Sequence, residues 1–407
     1  MFNTVIIGGG AAGLFCGANL EVDTCLILES GKKIGSKILI SGGGMCNITN
    51  MDSSEIFLKK FGNKKQENFL KPAILNFPTR ETINWFEKNG LKLIPREDGK
   101  VFPETEKAQS VIDIMQRKIA QKGYIIKYNT KATKVIKNGE LFYIKCGEEE
   151  FKCKNLVIAT GGKSFPETGS DGSGYNLAKD LGHSIITPEP ALTSIKIVDY
   201  KFKEISGNSV KKSLVDFYHK NEEKRYLQAC GDLLFTHQGL SGPVIINNSR
   251  FVNSGDTLKF SLIETTNKEE TRQTLNTIFN SKEKKTIKRV LKDLNISNSI
   301  IDRFSEILDF DKGLFLGNLS KNIKSKIITS LLEFPVTVNS KIGFNGAMVT
   351  CGGVGLEEIN RKTMESGKIE NLYFAGEIID YDGDTGGYNI QAAFSTAMIA
   401  AQSISRK

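Results

Sequence analysis

No stretch of the chain approaches the roughly 18 uncharged apolar residues of a membrane-spanning helix. The N-terminus enters a strand-like run, Thr4–Ile7, without the charged and apolar regions of a secretory signal. The seven cysteines include no C-x-x-C pair, which argues against a zinc site and a disulfide-exchange pair. Since scattered thiols in odd number suit a reducing compartment, we expect a cytoplasmic protein without a metal or a membrane partner.

Composition places the chain among globular proteins. Apolar residues make up 39% and charged residues 25%, far from the signature of a disordered chain. At 407 residues it exceeds one typical core, so more than one domain is expected. A net charge of +9 favours anionic partners such as nucleotides, CoA-type substrates or RNA, although an unselective basic surface would give the same charge.

A glycine-rich turn follows the first strand-like run and opens a helix. Its G-x-G-x-x-G residues are Gly8, Gly10, Ala11, Ala12 and Gly13. The first glycine permits a tight turn, the second lets the backbone approach a pyrophosphate, and the third lets helix and strand pack closely. Unpaired N–H groups at the helix N-terminus face the phosphates. Glu29 ends a second strand, where it would hold the ribose diol of an adenosine.

The far end of the chain decides between a nicotinamide and a flavin cofactor. A buried run, Leu372–Phe374, is followed by three aspartates and then by the Ala-rich helical run 390–401. In flavoproteins this order brings a carboxylate to the ribityl chain and a helix N-terminus to the flavin pyrimidine edge, where reduction leaves negative charge. The candidate FAD residues here are Gly376, Glu377, Gly386, Gly387, Tyr388 and Asn389. An acidic surface loop before an ordinary packing helix is the alternative.

Two further glycine-rich turns support a nucleotide site, although simple turn chemistry would explain each one alone. One follows a buried strand, and the other offers backbone amides to a pyrophosphate or flavin. Their candidate residues are Thr160, Gly161 and Gly162 in the first, and Ser41, Gly42, Gly43, Gly44, Asn47 and Asn50 in the second.

Together these motifs resemble bacterial NAD(P)/FAD-dependent oxidoreductases, also described as aminoacetone-oxidase-family FAD-binding flavoproteins. That family is distantly similar to the fumarate reductase and glutathione reductase flavoproteins. The resemblance covers the whole chain through motifs at 8–13, 35–44, 46–47, 50, 96–103, 160–164, 169–175, 235–243 and 383–389. It adds Lys37 to the expected cofactor-binding residues. One departure is Met45, where the family usually has arginine, which puts a phosphate-binding or substrate-binding role at that position in doubt.

The resemblance implies an α/β fold: a split, Rossmann-type FAD-binding domain of the glutathione-reductase kind, an inserted β-barrel-like domain and a helical subdomain. The pattern along the chain predicts the FAD-binding domain at 1–190 and 346–407, the β-rich domain at 191–266 and 333–345, and the helical subdomain at 267–332.

Local patterns predict the elements between these motifs. Helices are expected from the N-cap Thr79 to Gly90 and over 107–122. A meander is expected from three short strands, followed by a separate buried strand. The three short strands are 124–128, 141–146 and 151–153, and the buried strand is 156–159.

The leading functional hypothesis is an FAD-dependent oxidoreductase that transfers hydride between flavin and a small organic substrate, with NAD(P)H as transient reductant. The alternatives are an FAD-dependent tRNA-modifying enzyme and an RNA-binding flavoprotein that uses a basic face at 284–292. His237, in the turn of the inserted domain, is the candidate acid or base. Cys46 is interpreted as buried structure. The sequence leaves the substrate, the direction of reaction and the oligomeric state open.

Overall fold

The computed structural model describes residues 1–281 and 284–407. These residues form two compact units. The sheet unit comprises residues 1–191 and 347–407, and the barrel unit comprises residues 192–346. The predicted division into three domains stays a prediction, and its helical range 267–332 includes residues 282–283, which lie outside the described residues.

The first segment of the sheet unit alternates strands and helices. Its strands are β1 (Phe2–Ile7), β2 (Cys25–Leu28), β3 (Thr49–Asn50), β4 (Leu93–Pro95), β5 (Lys100–Pro103), β6 (Ile125–Lys127), β7 (Lys134–Asn138), β8 (Leu141–Cys146), β9 (Glu149–Ile158) and β10 (Ile185–Ala191). Its helices are α1 (Ala11–Asn19), α2 (Ser36–Ile40), α3 (Ser54–Leu58), α4 (Lys64–Asn76), α5 (Thr79–Lys88), α6 (Ala108–Gln121) and α7 (Ser173–Asp180).

The barrel unit follows, and the chain then returns to the sheet unit. The strands of the barrel unit are β11 (Ile195–Ile197), β12 (Ser209–Tyr218), β13 (Arg225–Phe235), β14 (Gly239–Ser241), β15 (Thr257–Phe260) and β16 (Phe334–Lys341). Its helices are α8 (Pro243–Ile246), α9 (Lys268–Phe279), α10 (Ile287–Asp293), α11 (Asn298–Leu308) and α12 (Lys321–Leu332). The returning segment contains β17 (Val349–Val354), β18 (Leu372–Phe374) and α13 (Tyr388–Ser405).

A parallel sheet lies at the centre of the sheet unit. Its strands run in the order β6-β2-β1-β9, with β18 pairing in parallel beside the second half of β9. The strands β2 and β18 are buried along their whole length. Such continuous apolar runs are typical of parallel strands covered by helices on both faces. This is the Rossmann-type architecture that the sequence predicts.

Three local expectations differ from the structure. The run 124–128 contributes β6 to the parallel sheet, so the antiparallel meander is β7-β8-β9. The runs 151–153 and 156–159 were expected as two strands, but Glu149–Ile158 is continuous because its first half pairs with β8 and its second half with β1 and β18. Pro78, not Thr79, occupies the N-cap position of α5, and the Thr79 hydroxyl donates to the Asn50 carbonyl oxygen at 2.8 Å.

The barrel unit is built around a closed antiparallel barrel of six strands in the order β11-β14-β13-β12-β15-β16. Its core contains the rings of Phe202, Phe235, Phe260 and Phe334, whose centroids lie 4.8 to 6.1 Å apart in the contacting pairs. Helices α9 to α12 lie between β15 and β16 along the chain. The predicted fold class, a Rossmann-type α/β domain with an inserted barrel and a helical part, is therefore confirmed.

No helix within residues 1–281 and 284–407 combines the length and apolar character needed to cross a bilayer. Over the same residues, no cluster of three or more histidine, cysteine, aspartate or glutamate side chains could hold a metal ion.

Candidate functional site

The glycine-rich turn between β1 and α1 shows why each glycine is present. A Cβ on Gly13 would overlap the carbonyl oxygen of Gly8, and one on Gly8 would lie 2.5 Å from the carbonyl oxygen of Ala159. These two glycines therefore let β1, α1 and the end of β9 pack closely. A Cβ on Gly10 would meet no protein atom within 4 Å. The backbone at Gly10, which caps α1, therefore borders open space.

Glu29 lies directly beyond β2 and is 8% exposed. Its Oε2 accepts a hydrogen bond from the Gly9 N–H at 3.0 Å, and its Oε1 accepts one from the Gly31 N–H at 2.6 Å. The carboxylate is thus fixed beside the glycine-rich turn. The Ser30 hydroxyl also donates to Oε1, at 3.3 Å. An ionised carboxylate has about four lone-pair directions, so Oε2 keeps acceptor capacity for a ligand hydroxyl. This geometry suits a ribose diol.

A polar cluster joins the two chain segments of the sheet unit. Lys37 Nζ on α2 lies 2.6 Å from Glu377 Oε2, which follows β18, and also donates to Ser164 Oγ. The Ser164 hydroxyl and the Thr350 N–H both donate to Glu377 Oε1, at 3.1 and 2.7 Å. Thr350 Oγ1 in turn accepts from the N–H of Lys163 at 2.7 Å. Glu377 therefore holds three separate parts of the chain together.

Removing this carboxylate should loosen the sheet unit. We expect Glu377→Ala to lower the free energy of unfolding by about 2 kcal/mol, because it leaves the Lys37 ammonium and the Thr350 N–H without their acceptor. This value lies below that of a fully buried pair because the Lys37 and Glu377 side chains are 26% and 19% exposed. Urea denaturation of the FAD-bound protein, followed by flavin fluorescence, measures the change.

Glu377→Gln is the matched control, since its amide oxygen still accepts from Thr350 and Ser164 while the charge is lost. Glu377→Gln should lower the free energy of unfolding by less than half as much as Glu377→Ala does. Equal stability of the wild type and the alanine variant would show that the cluster does not hold the segments together.

The loop 41–44 lies beside β5 and carries three successive glycines with positive φ. Asn47 Oδ1 accepts from the Val101 N–H at 3.2 Å, which fixes the end of the loop to β5. Asn50 Nδ2 donates to the Gly386 carbonyl oxygen at 3.1 Å. The amide of Asn50 thus connects this region to the start of α13, as expected if both belong to one site.

The start of α13 packs tightly against β3. A Cβ on Gly387, which has φ +97°, would lie 2.5 Å from the Thr49 carbonyl oxygen, so glycine is required there. The Tyr388 hydroxyl donates to Asp52 Oδ2 at 2.7 Å, and burial raises the pKa of Tyr388, an effect that Asp52 reinforces. Asn389 Oδ1 accepts from the Gly383 N–H at 2.8 Å. The first N–H groups of a helix have no acceptor within the helix, so this end offers donors to a ligand.

A perturbed carboxyl lies shortly before α13. Burial raises the pKa of Asp380 to about 6, and the neighbouring charge of Asp382 adds to the effect. Perturbed carboxyls cluster at functional sites, although structural networks also produce them. Asp380 follows Glu377 by three residues, so it belongs to the same turn.

These observations meet the requirements of a bound dinucleotide. The backbone at Gly10 borders open space, Glu29 presents carboxylate oxygens beside it, and α1 and α13 begin at glycines. The remaining candidates of the site lie in the same sheet unit: Ala11 and Ala12 open α1, Thr160, Gly161 and Gly162 follow β9, and Gly376 follows β18. The role of each residue toward FAD stays a prediction.

The two other candidate residues have different surroundings. His237 lies in the turn between β13 and β14 of the barrel unit, and its side chain is exposed. Cys46 is fully buried, and burial raises the pKa of its thiol to about 12. A thiol with so high a pKa is a poor nucleophile at neutral pH, which agrees with its interpretation as structure.

The departure at Met45 has a structural counterpart. The Arg96 guanidinium lies 3.5 Å from the Met45 sulfur and 4.0 Å from the centre of the Phe102 ring. It also forms an ion pair with Glu106 at 2.8 Å. A guanidinium from the β4-β5 hairpin is therefore present beside the position where the family usually has arginine.

Sequence reasoning missed Thr350 and Asp52. Thr350 accepts two backbone hydrogen bonds from the loop after β9, and Asp52 accepts the Tyr388 hydroxyl. Their partners lie 186 to 336 positions away along the chain. The glycines at 352 and 353 were the only nearby sign that β17 approaches another part of the backbone.

Comparison with known proteins assigns the chain to a family. The family model described as the HI0933-like protein Rossmann domain matches residues 2–403. The chain belongs to this family. The predicted resemblance to a bacterial flavoprotein family is confirmed, and the chain is an FAD-dependent oxidoreductase.

Curated relatives cover nearly the whole chain. The chain is 31% identical to a ribosomal RNA dihydrouridine synthase of Haemophilus influenzae, over 99% of this chain and 98% of the relative. It is 29% identical to a protein of the same name from Escherichia coli, with the same coverage. A 3-dehydro-bile acid delta(4,6)-reductase of Clostridium scindens is 26% identical over 99% of this chain and 98% of its own length.

Solved structures agree on the fold. A 3-ketosteroid delta1-dehydrogenase from Sterolibacterium denitrificans covers the whole chain with a TM-score of 0.51 and 12% identity, and 99% of that structure is matched. A 3-ketosteroid-delta4-(5alpha)-dehydrogenase from Rhodococcus jostii gives a TM-score of 0.50 and 16% identity, with 97% of that structure matched. At such identities the likeness concerns the fold alone.

Proposed function

We propose that this protein reduces the C5–C6 double bond of a uridine in ribosomal RNA, with FAD as its resident cofactor and NAD(P)H as the transient reductant. The observation that carries the proposal is the similarity to two ribosomal RNA dihydrouridine synthases, 31% and 29% identical over 99% of the chain. Among the hypotheses from the sequence, RNA modification therefore gains support over a small organic substrate.

The charge distribution supports a polyanionic substrate. The barrel unit contains 24 lysines and arginines against 17 aspartates and glutamates, a net charge of +7. The sheet unit has 31 against 29, which leaves it a net charge of +2. Clustering of basic residues in one part of a protein is the electrostatic footprint of nucleic-acid binding.

The reaction needs a hydride, a proton and a uracil ring that is held in a fixed position. NAD(P)H would first reduce the bound FAD, and the reduced flavin would supply the hydride for C6 of the uracil, while a proton would go to C5, next to the C4 carbonyl. The residues of this chain have supporting roles in the proposal. Glu29 binds the adenosine ribose, the N–H groups that open α13 stabilise negative charge at the flavin pyrimidine edge, and His237 donates the proton.

A small-molecule enone is the second candidate substrate. The observation in its favour is the 26% identity to a 3-dehydro-bile acid delta(4,6)-reductase over 99% of the chain. Both candidates contain a C=C bond conjugated to a carbonyl group, so the same site chemistry would serve either. Substrate binding, not the chemical step, distinguishes them.

The test supplies both substrates to the FAD-loaded protein with NADPH under anaerobic conditions. One arm contains deproteinised ribosomal RNA from cells that lack the homologous gene, and nucleoside mass spectrometry detects dihydrouridine as a gain of two hydrogens. The other arm contains a 3-keto-4-ene steroid. We expect dihydrouridine at one position of the RNA and no turnover of the steroid.

Protein freed of FAD by dialysis against high salt is the control for flavin dependence. Steroid reduction without dihydrouridine would replace the first candidate by the second. If NADPH reduces the flavin but neither dihydrouridine nor reduced steroid is formed, both candidate substrates are wrong.

A further inference from the structure

We propose that the hairpin between β12 and β13 is a docking surface for single-stranded RNA. This inference rests on the proposed function, because it names the part of the barrel unit that holds the RNA. The hairpin surface consists of Tyr218, His219, Lys220, Lys224, Arg225, Tyr226 and Lys259. It combines three aromatic rings with three lysines and arginines at the tip and a fourth cation on β15.

Two of these rings form a stacked pair. The His219 and Tyr226 rings lie nearly parallel, with an interplanar angle of 13° and centroids 4.0 Å apart. The His219 side chain is 43% exposed, so its outer part faces solvent. A nucleobase stacking on His219 would extend the pair by one ring. Stacking of this kind is sequence-tolerant, because every base has an aromatic face.

A buried carboxylate holds this pair in place. Asp256 is 2% exposed, and its Oδ1 lies 3.6 Å from His219 Nδ1. Its Oδ2 accepts the Tyr226 hydroxyl at 3.1 Å and the Asn253 N–H at 2.9 Å. Since both rings are oriented before a ligand arrives, binding costs little side-chain entropy.

Cationic groups surround the rings. Lys259 Nζ lies 4.6 Å from the centre of the Tyr218 ring on the outer face of the barrel. The aliphatic part of Lys220 packs beside Gly255, which leaves its ammonium group at the exposed tip. Lys224 and Arg225 are exposed, although Arg225 also pairs with Asp216 at 3.2 Å. These groups can reach phosphates on either side of a stacked base.

Acidic residues on the hairpin surface limit the kinds of partner that it can bind. Glu222 and Glu223 lie between the lysines at the tip, so residues 218–226 carry a net charge of +1. That charge is small for binding a duplex by phosphate contacts alone. Aromatic faces add affinity only where bases are unstacked, as in single-stranded loops of RNA. The combination therefore favours single-stranded RNA over duplex RNA or an acidic protein surface.

The first test measures stacking. Fluorescence anisotropy follows binding of a fluorescein-labelled, uridine-rich RNA of about 12 nucleotides, within the site sizes of single-strand binders, to the full-length FAD-bound protein. We expect His219→Ala to raise Kd about tenfold, the scale of losing one base–aromatic stack. His219→Phe keeps a ring and should restore most of the affinity.

Phe315→Ala is the matched control, because Phe315 is 49% exposed in the same barrel unit but lies outside the hairpin surface. It should leave Kd unchanged. Flavin absorbance and the melting temperature show that each variant is folded. An unchanged Kd in a folded His219→Ala variant would overturn the stacking role.

The second test measures phosphate contacts through salt. For single strands each contact adds about 0.7 to the slope of log K against log salt concentration. The double variant Lys220→Gln/Lys224→Gln should therefore reduce that slope by about 1.4. Lys71→Gln/Lys88→Gln, two exposed lysines of the sheet unit, should not change it.

These measurements separate the inference from the proposed function. If the wild type forms dihydrouridine but all hairpin variants bind the RNA equally well, the inference is wrong and the proposed function stands. If the wild type forms no dihydrouridine but the hairpin variants lose affinity as expected, the docking surface stands and the proposed function is wrong. Tighter binding of duplex RNA than of the single strand would also overturn the inference.

Discussion

The Gly13→Ala variant is expected not to fold into an FAD-binding protein. An added Cβ would overlap the Gly8 carbonyl oxygen, which belongs to the backbone and cannot rotate away. Relief requires that α1 move away from β1, and both elements lie in the core of the sheet unit. Overpacking in a core costs about 1–3 kcal/mol and more where backbone must shift, against a typical total stability of about 5–15 kcal/mol. We expect colourless or insoluble protein.

Gly10→Ala is the matched variant, because it adds the same methyl group three residues earlier. Gly10 has φ −87° and ψ −165°, a conformation that alanine adopts, and its Cβ would meet no protein atom. The variant should therefore fold with a melting temperature near that of the wild type without FAD. If the open space at Gly10 is where the pyrophosphate approaches the backbone, the methyl group blocks it.

We expect Gly10→Ala to weaken FAD binding by about 100-fold, the effect of displacing a dinucleotide from its backbone contacts by the width of a methyl group. Fluorescence titration of the flavin-free protein measures Kd, and differential scanning fluorimetry measures stability. If Gly10→Ala binds FAD as tightly as the wild type, the pyrophosphate does not approach the backbone at Gly10. A stable, yellow Gly13→Ala protein would show that α1 and β1 tolerate separation.

The parts of the fold that sequence predicts are those in which local pattern and tertiary role coincide. The runs that form β2 and β18 are apolar and buried along their whole length, as is the second half of β1, because helices cover both faces of a parallel sheet, so pattern alone identifies them. Gly13 is required by its close approach to the Gly8 carbonyl oxygen within one βα turn, which is short enough to be visible in the sequence. Gly8 is required by its approach to Ala159 at the end of β9, a contact that the sequence alone does not show.

Long-range pairing is what the sequence did not disclose. The run Tyr124–Tyr128 has the same local character as the meander strands, yet its central residues pair with β2, about 100 positions earlier. Thr79 is of a residue type that favours the N-cap, but it is the first residue of the helix, and its hydroxyl donates to the Asn50 carbonyl oxygen instead of accepting from a helix N–H. Thr350 belongs to the site only because β17 returns to the sheet unit after the whole barrel unit.

The surroundings of His237 allow its side chain to be removed without disturbing the fold. The turn from Thr236 to Gly239 is held by its own backbone, since the Thr236 N–H donates to the Gly239 carbonyl oxygen at 2.9 Å. The Thr236 hydroxyl also donates to that oxygen at 2.9 Å and accepts from the Gly239 N–H at 3.2 Å. The imidazole itself is exposed and contributes nothing to the barrel core. His237→Ala should therefore leave folding and FAD binding unchanged.

If His237 donates the proton in the proposed reaction, His237→Ala should lower kcat for substrate reduction by about 10²-fold, the usual scale for losing a general acid. Stopped-flow absorbance separates the two half-reactions. Reduction of the flavin by NADPH should keep its wild-type rate, because no proton is transferred to the substrate in that step. Reoxidation of the flavin by the substrate should account for the whole decrease in kcat, with little change in KM.

Gln238→Ala is the matched control, since Gln238 is the next exposed residue of the same turn. It removes a polar side chain from the same place but no group that titrates near neutral pH, so it should react at close to the wild-type rate. Equal slowing by both variants would show that the turn positions the substrate without supplying a proton. Wild-type reoxidation in a folded His237→Ala protein would remove His237 from the mechanism, and Asp380, whose pKa is raised to about 6, would become the next candidate donor.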